Sequence, residues 1–419
     1  MDILIEPSED RFLNAGDSAM MRVAIERLCA MWPDARIYVL TNRPDLLPRY
    51  SSQVLPLSNA GRSLWIAEDL MHLPAWRRSL YLEHPAISSV LRRLRYWSHP
   101  PEDQQSVEAF LRLMRRVNAF VVAGMGGLTC AFPGYAAMVL DTLSLAQECG
   151  VPTFLLGQGL GPFDSELEQH ARGVLRGVDY IALREGRHGP ALLRKWGLRR
   201  EQWTVTGDDA IELALQNRHN SLGQAIGFNV RVSEYSGVSN DLANDLRAPL
   251  QEVAAALNAP FQVIAISRVP EEDDASRAES LIPGYPVQSP EETPDEPMSV
   301  IRQIQHCRIV ITGSYHAGVF ALAQGIPVVG LFANDYYQWK FEGLAHQFGD
   351  GCCILRLGTS DFCRELQRIV RHFWLNASYL RAELLECAER QQQAGAAAYA
   401  HVSSLLGHPL SEGNQCLSQ

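Results

Sequence analysis

The sequence predicts an α/β protein made of two successive Rossmann-like halves, each with a mostly parallel sheet, and three observations carry that reading. Short runs rich in Val, Ile and Leu alternate with longer segments whose apolar residues recur at helical spacing. This alternation stops at the polar, turn-rich "QNRHNSLGQ", Gln216 to Gln224, and then restarts. A chain of 419 residues is also too long for one ordinary core, so two domains of roughly 200 residues each are expected.

In the first half, "DILIEP", "ARIYVL", "AFVVAG", "PTFLLG" and "DYIALR" read as buried strands, being brief, branched and closed by Gly, Pro or polar residues. Between them "DSAMMRVAIERLCAMW", "YAAMVLDTLSLAQECG" and "LEQHARGVLRGV" read as helices, and strand followed by helix, repeated, gives a parallel sheet. One interruption, about 61–118, is helical and rich in arginine, with Arg77, Arg78, Arg92, Arg93 and Arg95 close together. It reads either as a solvated face or as a basic face for an anionic acceptor or a membrane surface carrying one. The expected domains are therefore 1–215 and 225–360.

In the second half, "AIGFNVRV", "FQVIAIS", "CRIVITG" and "IPVVGLF" are strand-like, with helices such as "NDLRAPLQEVAAALN" between them. The acidic, proline-dotted "PEEDDASRAES" and "QSPEETPDEP" read as exposed loops. The segment 361–405 is one long helical pattern, expected to pack back across the domain junction.

Composition narrows the function. A net charge of -10 argues against nucleic acid as the main partner but leaves room for a small anion held by a few local cations. The nine cysteines lack C-x-x-C spacing, which suggests neither a disulfide framework nor a zinc site. The N-terminus lacks the pattern of a signal peptide, and no apolar run reaches the roughly 18 residues of a spanning helix. A cytoplasmic address is the expectation.

In open α/β sheets ligands bind beyond the carboxyl ends of the strands, so the loops there are the candidates. "NAGDSAM" offers Gly16 and Asp17, with Asp17 read as a helix N-cap or a substrate contact. "GMGGLTC" offers Gly126 and Gly127, which give backbone room for a ligand. In "GQGLGPF", Gln158 is flanked by glycines, including Gly159, and reads as free to offer its amide to a hydroxyl. Arg184 in "ALREG" either grips a carboxylate or phosphate or pairs with Glu185. "GFNVRV" contributes Asn229 and Arg231. In "ITGSYHAGVFAL", Ser314 reads as an N-cap that leaves His316 in the first turn, where backbone N–H groups favour anions and an imidazole can exchange protons near neutral pH. Lys340 lies beyond the next strand, at the mouth of the same crevice.

In this order and spacing the residues resemble the polysaccharide pyruvyl transferases. "NAGDSAM" is similar to that family's N-terminal G-D loop, "GMGG" to its glycine loop and "GQGLGP" to its G-Q-G-x-G-P segment. "ALREG" is similar to its S-x-R-E element, "VTGDDAI" to its G-D-P-A element, and "GSYHAGVFALAQGIPVVGL" with Lys340 to its most specific block. The resemblance implies a GT-B-like pair of domains facing a central cleft. It also implies transfer of a pyruvyl group from phosphoenolpyruvate to two hydroxyls of a sugar, forming a cyclic ketal, with no redox cofactor; no residue is singled out as a metal ligand. By motif position Arg184 would bind the donor's anionic groups, His316 would act as general acid or base, and Lys340 would stabilise the leaving phosphate. Arg231, Ser314 and Tyr315 would also face the donor. The acceptor would be a sugar or glycan, free or lipid-linked. Two departures stand out: Ser314 occupies a position where many members have arginine, and Asp209 replaces the proline of G-D-P-A.

Two other readings follow from the same residues. A GT-B glycosyltransferase using a nucleotide sugar would need an acidic residue on the ribose, for which Glu342 is a candidate. A family member without catalytic activity is the other.

Overall fold

Branched, apolar runs form the strands of two parallel sheets in the computed structural model, which describes residues 1–8, 12–66, 90, 92, 94, 96–269, 274–282 and 297–407. The first sheet contains β1 (Asp2–Glu6), β2 (Arg36–Thr41), β3 (Val54–Ser58), β4 (Ala119–Val122), β5 (Met125–Leu128), β6 (Thr153–Leu160), β7 (Tyr180–Leu183) and β8 (Trp203–Val205). Its order is β3-β2-β1-β4-β6-β7-β8, with β5 paired to β6. The second contains β9 (Ala225–Asn229), β10 (Phe261–Val263), β11 (Cys307–Thr312), β12 (Val328–Phe332) and β13 (Cys352–Arg356), in the order β10-β9-β11-β12-β13.

Each order reverses once, between β1 and β4 and between β9 and β11. Chain leaving the strands on either side of such a reversal diverges to opposite faces, which opens a crevice at the carboxyl edge. Helices cover both faces of the sheets, and each fully buried Leu, Ile or Phe contributes about 1.5–3 kcal/mol. The architecture is GT-B-like, two Rossmann-like halves whose carboxyl edges face one cleft.

Two helices tie the halves together. In the helix Ala15–Met31, Ala19, Met20 and Val23 pack into the second domain's core while Met21, Ala24, Ile25 and Leu28 pack into the first. The terminal helix Phe362–Leu405 starts against the second sheet with Leu366, Val370 and Phe373 and ends against the first with Ala398, Tyr399 and Val402. The helix Ala210–Gln216, last of the first half in sequence, also buries its apolar side in the second core.

Four strands have no counterpart in the sequence reading. β3 and β13 are edge strands with partly exposed residues, β8 has three residues, and β5 forms inside the "GMGGLTC" loop. "PEEDDASRAES" is not simply an exposed loop, because Asp274–Leu281 is helical and Asp274 is buried. Residues 270–273 and most of "QSPEETPDEP" lie outside the described residues, as do Arg77, Arg78, Arg93 and Arg95. No helix among the described residues is long and apolar enough to cross a membrane.

Candidate active site

A cavity of about 350 Å³ opens between the carboxyl edges of the two sheets. Its wall is drawn from loops that follow β1, β7, β9, β11 and β12, and it gathers Asp17, Arg184, Arg231, Ser314, His316 and Lys340. Arg184, Arg231 and Lys340 bring three basic side chains to one small crevice, and Asp17 brings a carboxylate to the same wall.

Arg184 leaves the end of β7 and is buried, with its guanidinium Nη1 3.4 Å from Asp208 Oδ2. Glu185 is not its partner: that carboxylate accepts the backbone N–H groups of Arg187, His188 and Gly189 and so caps the next helix. Asp208 follows β8, and its other oxygen accepts from the Ala210 N–H at 2.9 Å. The same Oδ2 stands 3.7 Å from His316 Nε2, too long for a hydrogen bond. Burial pushes the Asp208 carboxyl up, but His316, Arg184 and the Ala210 N–H together hold it below the ordinary aspartate value. His316 is buried in the first turn of the helix Tyr315–Ala323, and its Nε2 has no hydrogen-bond partner. Gly16 makes room for the ring, since a Cβ there would lie 2.0 Å from His316 Cγ and Nδ1.

Lys340 reaches into the cavity from the helix Asp335–Phe348. Its ammonium lies 4.0 Å from the Tyr336 ring centroid, 5.2 Å from that of Tyr337 and 5.8 Å from that of Tyr315, a cage of aromatic faces that suits a cation. Burial and the charge of Arg184 push Lys340 well below the ordinary lysine value, and Asp17 and Asp208 offset part of this. Both cations press on Gly126, where a Cβ would lie 2.4 Å from Arg184 Nη2 and 3.2 Å from Lys340 Cε. The Tyr336 hydroxyl donates to the Gly126 carbonyl at 3.0 Å and joins the two domains at this point.

Arg231 is buried and paired bidentately with Asp274, Nε to Oδ1 at 2.7 Å and Nη2 to Oδ2 at 2.8 Å. Its Nη1 donates to the Tyr235 hydroxyl at 2.8 Å. Phe132, from the first domain, meets Tyr235 and Tyr336 with centroids 5.0 and 5.7 Å apart, giving the cavity an aromatic wall.

Of the residues expected from sequence, Asp17, Gly126, Gly127, Arg184, Arg231, Ser314, Tyr315, His316 and Lys340 line this cavity. Gly16 and Gly159 lie behind it, against His316 and Arg184 respectively. Gln158 does not offer its amide to a ligand, because that nitrogen donates to the carbonyls of Val122, Ala123 and Leu156. Asn229 is likewise engaged inside, donating to Ile264 O and accepting from the Thr312 hydroxyl. Asp17 is not the helix cap; Asn14 is, accepting from the N–H groups of Gly16 and Asp17, which leaves the Asp17 carboxylate to the cavity. Ser314 occupies the cap position, but its hydroxyl makes no capping bond. Glu342 lies outside the cavity wall and accepts from His188 Nε2 at 2.8 Å. Sequence reading passed over Asp208, although the "VTGDDAI" element contained it, and the tyrosines Tyr235, Tyr336 and Tyr337.

The sequence model of the polysaccharide pyruvyl transferase family matches residues 14–336. No curated protein matches the sequence. Among solved structures, the UDP-GlcNAc 2-epimerase from Neisseria meningitidis bound to UDP-GlcNAc is similar with a TM-score of 0.56 and 14% identity, over 97% of this chain and 100% of that one. UGT2 of Phytolacca americana, complexed with UDP-2-fluoro-glucose and pterostilbene, gives 0.55 and 13% over 97% and 98%. MnaA of S. aureus with UDP gives 0.57 and 13% over 98% and 99%. At such identities these likenesses establish the fold alone.

Proposed function

The chain belongs to the polysaccharide pyruvyl transferase family, and we propose that it transfers a pyruvyl group from phosphoenolpyruvate to two hydroxyls of a sugar or glycan, closing a cyclic ketal. The donor brings a phosphate and a carboxylate into a crevice walled by Arg184, Arg231 and Lys340. The methylene carbon of the donor takes a proton, and one acceptor hydroxyl adds to the neighbouring carbon. The bond from that carbon to the phosphate oxygen breaks, its electron pair leaving with phosphate, and the second hydroxyl adds to the oxocarbenium-like centre. Two hydroxyl protons are released, one replacing that taken up at carbon and the other leaving on phosphate.

His316 is assigned the proton transfer, with the Asp208 carboxylate 3.7 Å from its Nε2 to orient it. Arg184 and Arg231 hold the donor's anionic groups, and Lys340 meets the departing phosphate. The observation that carries this reading is the convergence of Arg184 and Lys340 on Gly126 beside a histidine whose Nε2 has no hydrogen-bond partner. An acceptor sugar has the aromatic wall of Phe132 and Tyr235 to lie against.

Calorimetric titration with phosphoenolpyruvate and with a uridine diphosphate sugar tests the donor. Wild type is expected to bind phosphoenolpyruvate, Arg184→Ala to bind it at least about tenfold more weakly, and neither to respond to the nucleotide sugar. No response to phosphoenolpyruvate in wild type would sink the assignment, and a response to the nucleotide sugar instead would replace it.

A further inference from the structure

We propose that Asp17 is the general base of the reaction, taking the proton from the first acceptor hydroxyl as that oxygen adds to the donor's central carbon. The inference rests on the pyruvyl transfer argued above and supplies a residue for a step that was left without one. His316 does not fill it, because a group giving a proton to the methylene carbon is not free to take one from the attacking hydroxyl at the same time. Asp208 is equally occupied. It is buried off the cavity wall, with one oxygen beside Arg184 and His316 and the other accepting from the Ala210 N–H. Asp17 is the one carboxylate on the wall of the cavity among the described residues.

Its position and its charge both suit a hydroxyl. Asp17 is half-buried in the first turn of the helix Ala15–Met31, and Asn14 caps that turn in its place, so the carboxylate has no hydrogen-bond or ion-pair partner among the described residues. Gly16, its neighbour, packs against the His316 ring, which brings the two proton-transfer groups to adjoining parts of one wall. The charge of Asp17 acts on Arg184, Lys340 and Tyr336, whose protons it helps to hold. A carboxylate at that place repels the phosphate and carboxylate of the donor. It therefore serves the neutral partner, whose O–H donates to it in a short charge-assisted bond. When the acceptor oxygen bonds to carbon, the electron pair of its O–H bond stays on oxygen and the proton passes to Asp17. The departing phosphate, which carries off the electron pair of its bond to carbon, takes that proton and returns Asp17 to the carboxylate. The second hydroxyl yields its proton to His316 and so replaces the one given to the methylene carbon.

The test compares phosphate release and donor affinity in Asp17→Asn and Asp17→Ala, with acceptor glycan from cells lacking the protein. Asp17→Asn keeps the shape and removes the charge. Its phosphoenolpyruvate affinity by calorimetry is expected to be unchanged or tighter, while phosphate release falls by at least about 10²-fold. Formate, a small carboxylate able to enter the space that Asp17→Ala opens, is expected to speed that variant at least about tenfold and to leave His316→Gln slow. Wild-type turnover in Asp17→Asn overturns the assignment. So does a slow Asp17→Ala that formate leaves slow, because a residue that only balances the charges of Arg184 and Lys340 behaves in that way. If wild type itself binds no phosphoenolpyruvate, the donor reading falls and this proposal with it. If wild type binds and turns over and Asp17→Asn matches it, the role of Asp17 alone falls.

Discussion

Asp208 and His316 face each other across the two domains, with Oδ2 3.7 Å from Nε2. The same oxygen stands 3.4 Å from Arg184, so one carboxylate lies beside both the group proposed to transfer the proton and the cation proposed to bind the donor. A closure of the cleft by less than 1 Å, an order of movement that ligand binding commonly brings, would turn the longer contact into a hydrogen bond. Asp208→Asn keeps the shape and removes the charge. We expect phosphate release from phosphoenolpyruvate to slow by about 10²-fold, measured with glycan from cells lacking the protein as acceptor.

His316→Gln separates chemistry from binding. In the proposed reaction Arg184, Arg231 and Lys340 meet the donor's charges, so its affinity by calorimetry should stay within about threefold, while turnover falls by about 10³-fold. A variant with full turnover would remove His316 from the reaction and favour either another acid or a family member that works without this one.

Gly16→Ala probes the space behind the imidazole. Its Cβ would meet the His316 ring at 2.0 Å, so either the ring or the helix Ala15–Met31 must shift. Overpacking of this kind costs about 1–3 kcal/mol, and a displaced ring should lower turnover at least about tenfold. Thermal unfolding and the phosphate-release assay read the two effects. If neither moves, His316 is not seated against Gly16.

Most of this site was legible in the sequence because loops that end buried strands must meet at one sheet edge. That rule places Arg184 at the carboxyl edge of the first sheet and His316 and Lys340 at that of the second, and the cleft between the two edges brings them together, although 132 residues separate the first two. It does not reveal what a loop side chain does once there. Gln158 and Asn229 sit in such loops, yet the buried backbone beside them needs partners and takes their amides. Asp208 was hidden for the converse reason, since one carboxylate in a turn gives no sign that an arginine and a histidine from other segments converge on it. The pairing of Arg231 with Asp274 spans 43 residues and was invisible in a segment that composition marks as exposed.

Lys340 supplies a pH signature. Burial and Arg184 hold its value well below that of an ordinary lysine, so above that depressed value the free protein carries the neutral amine. An anionic donor binds the ammonium form, and by linkage raises the value in the complex. Below the free protein's value binding takes up no proton at Lys340. Above it binding takes up a proton there, and affinity weakens by about tenfold per pH unit. Calorimetry in two buffers of different ionisation enthalpy measures the uptake. Lys340→Met should abolish it, and uptake persisting in that variant would assign it to another group.

Behind Asp208 lies a second buried carboxylate, Asp209, which ties the terminal helix to the site. It accepts from Arg27 Nη1 and from the Tyr399 hydroxyl, both at 2.9 Å. Burial raises its carboxyl from 3.8 to about 6, against the opposing pull of Arg27 and Tyr399. The folded state therefore binds this proton more tightly than the unfolded chain does. The stabilisation from that proton is complete below pH about 4 and lost as the pH rises through about 6, a change of about 3 kcal/mol. Asp209→Asn lacks the titration, so the stability of wild type relative to the variant, from urea unfolding at a series of pH values, should fall across that window. Tyr399→Phe deletes a hydrogen bond that favours the carboxylate, so in that variant the same fall should occur at higher pH. Parallel stability curves for wild type and Asp209→Asn would show that this carboxyl does not titrate on folding, and would remove the proton-linked coupling between the terminal helix and the Asp208 loop.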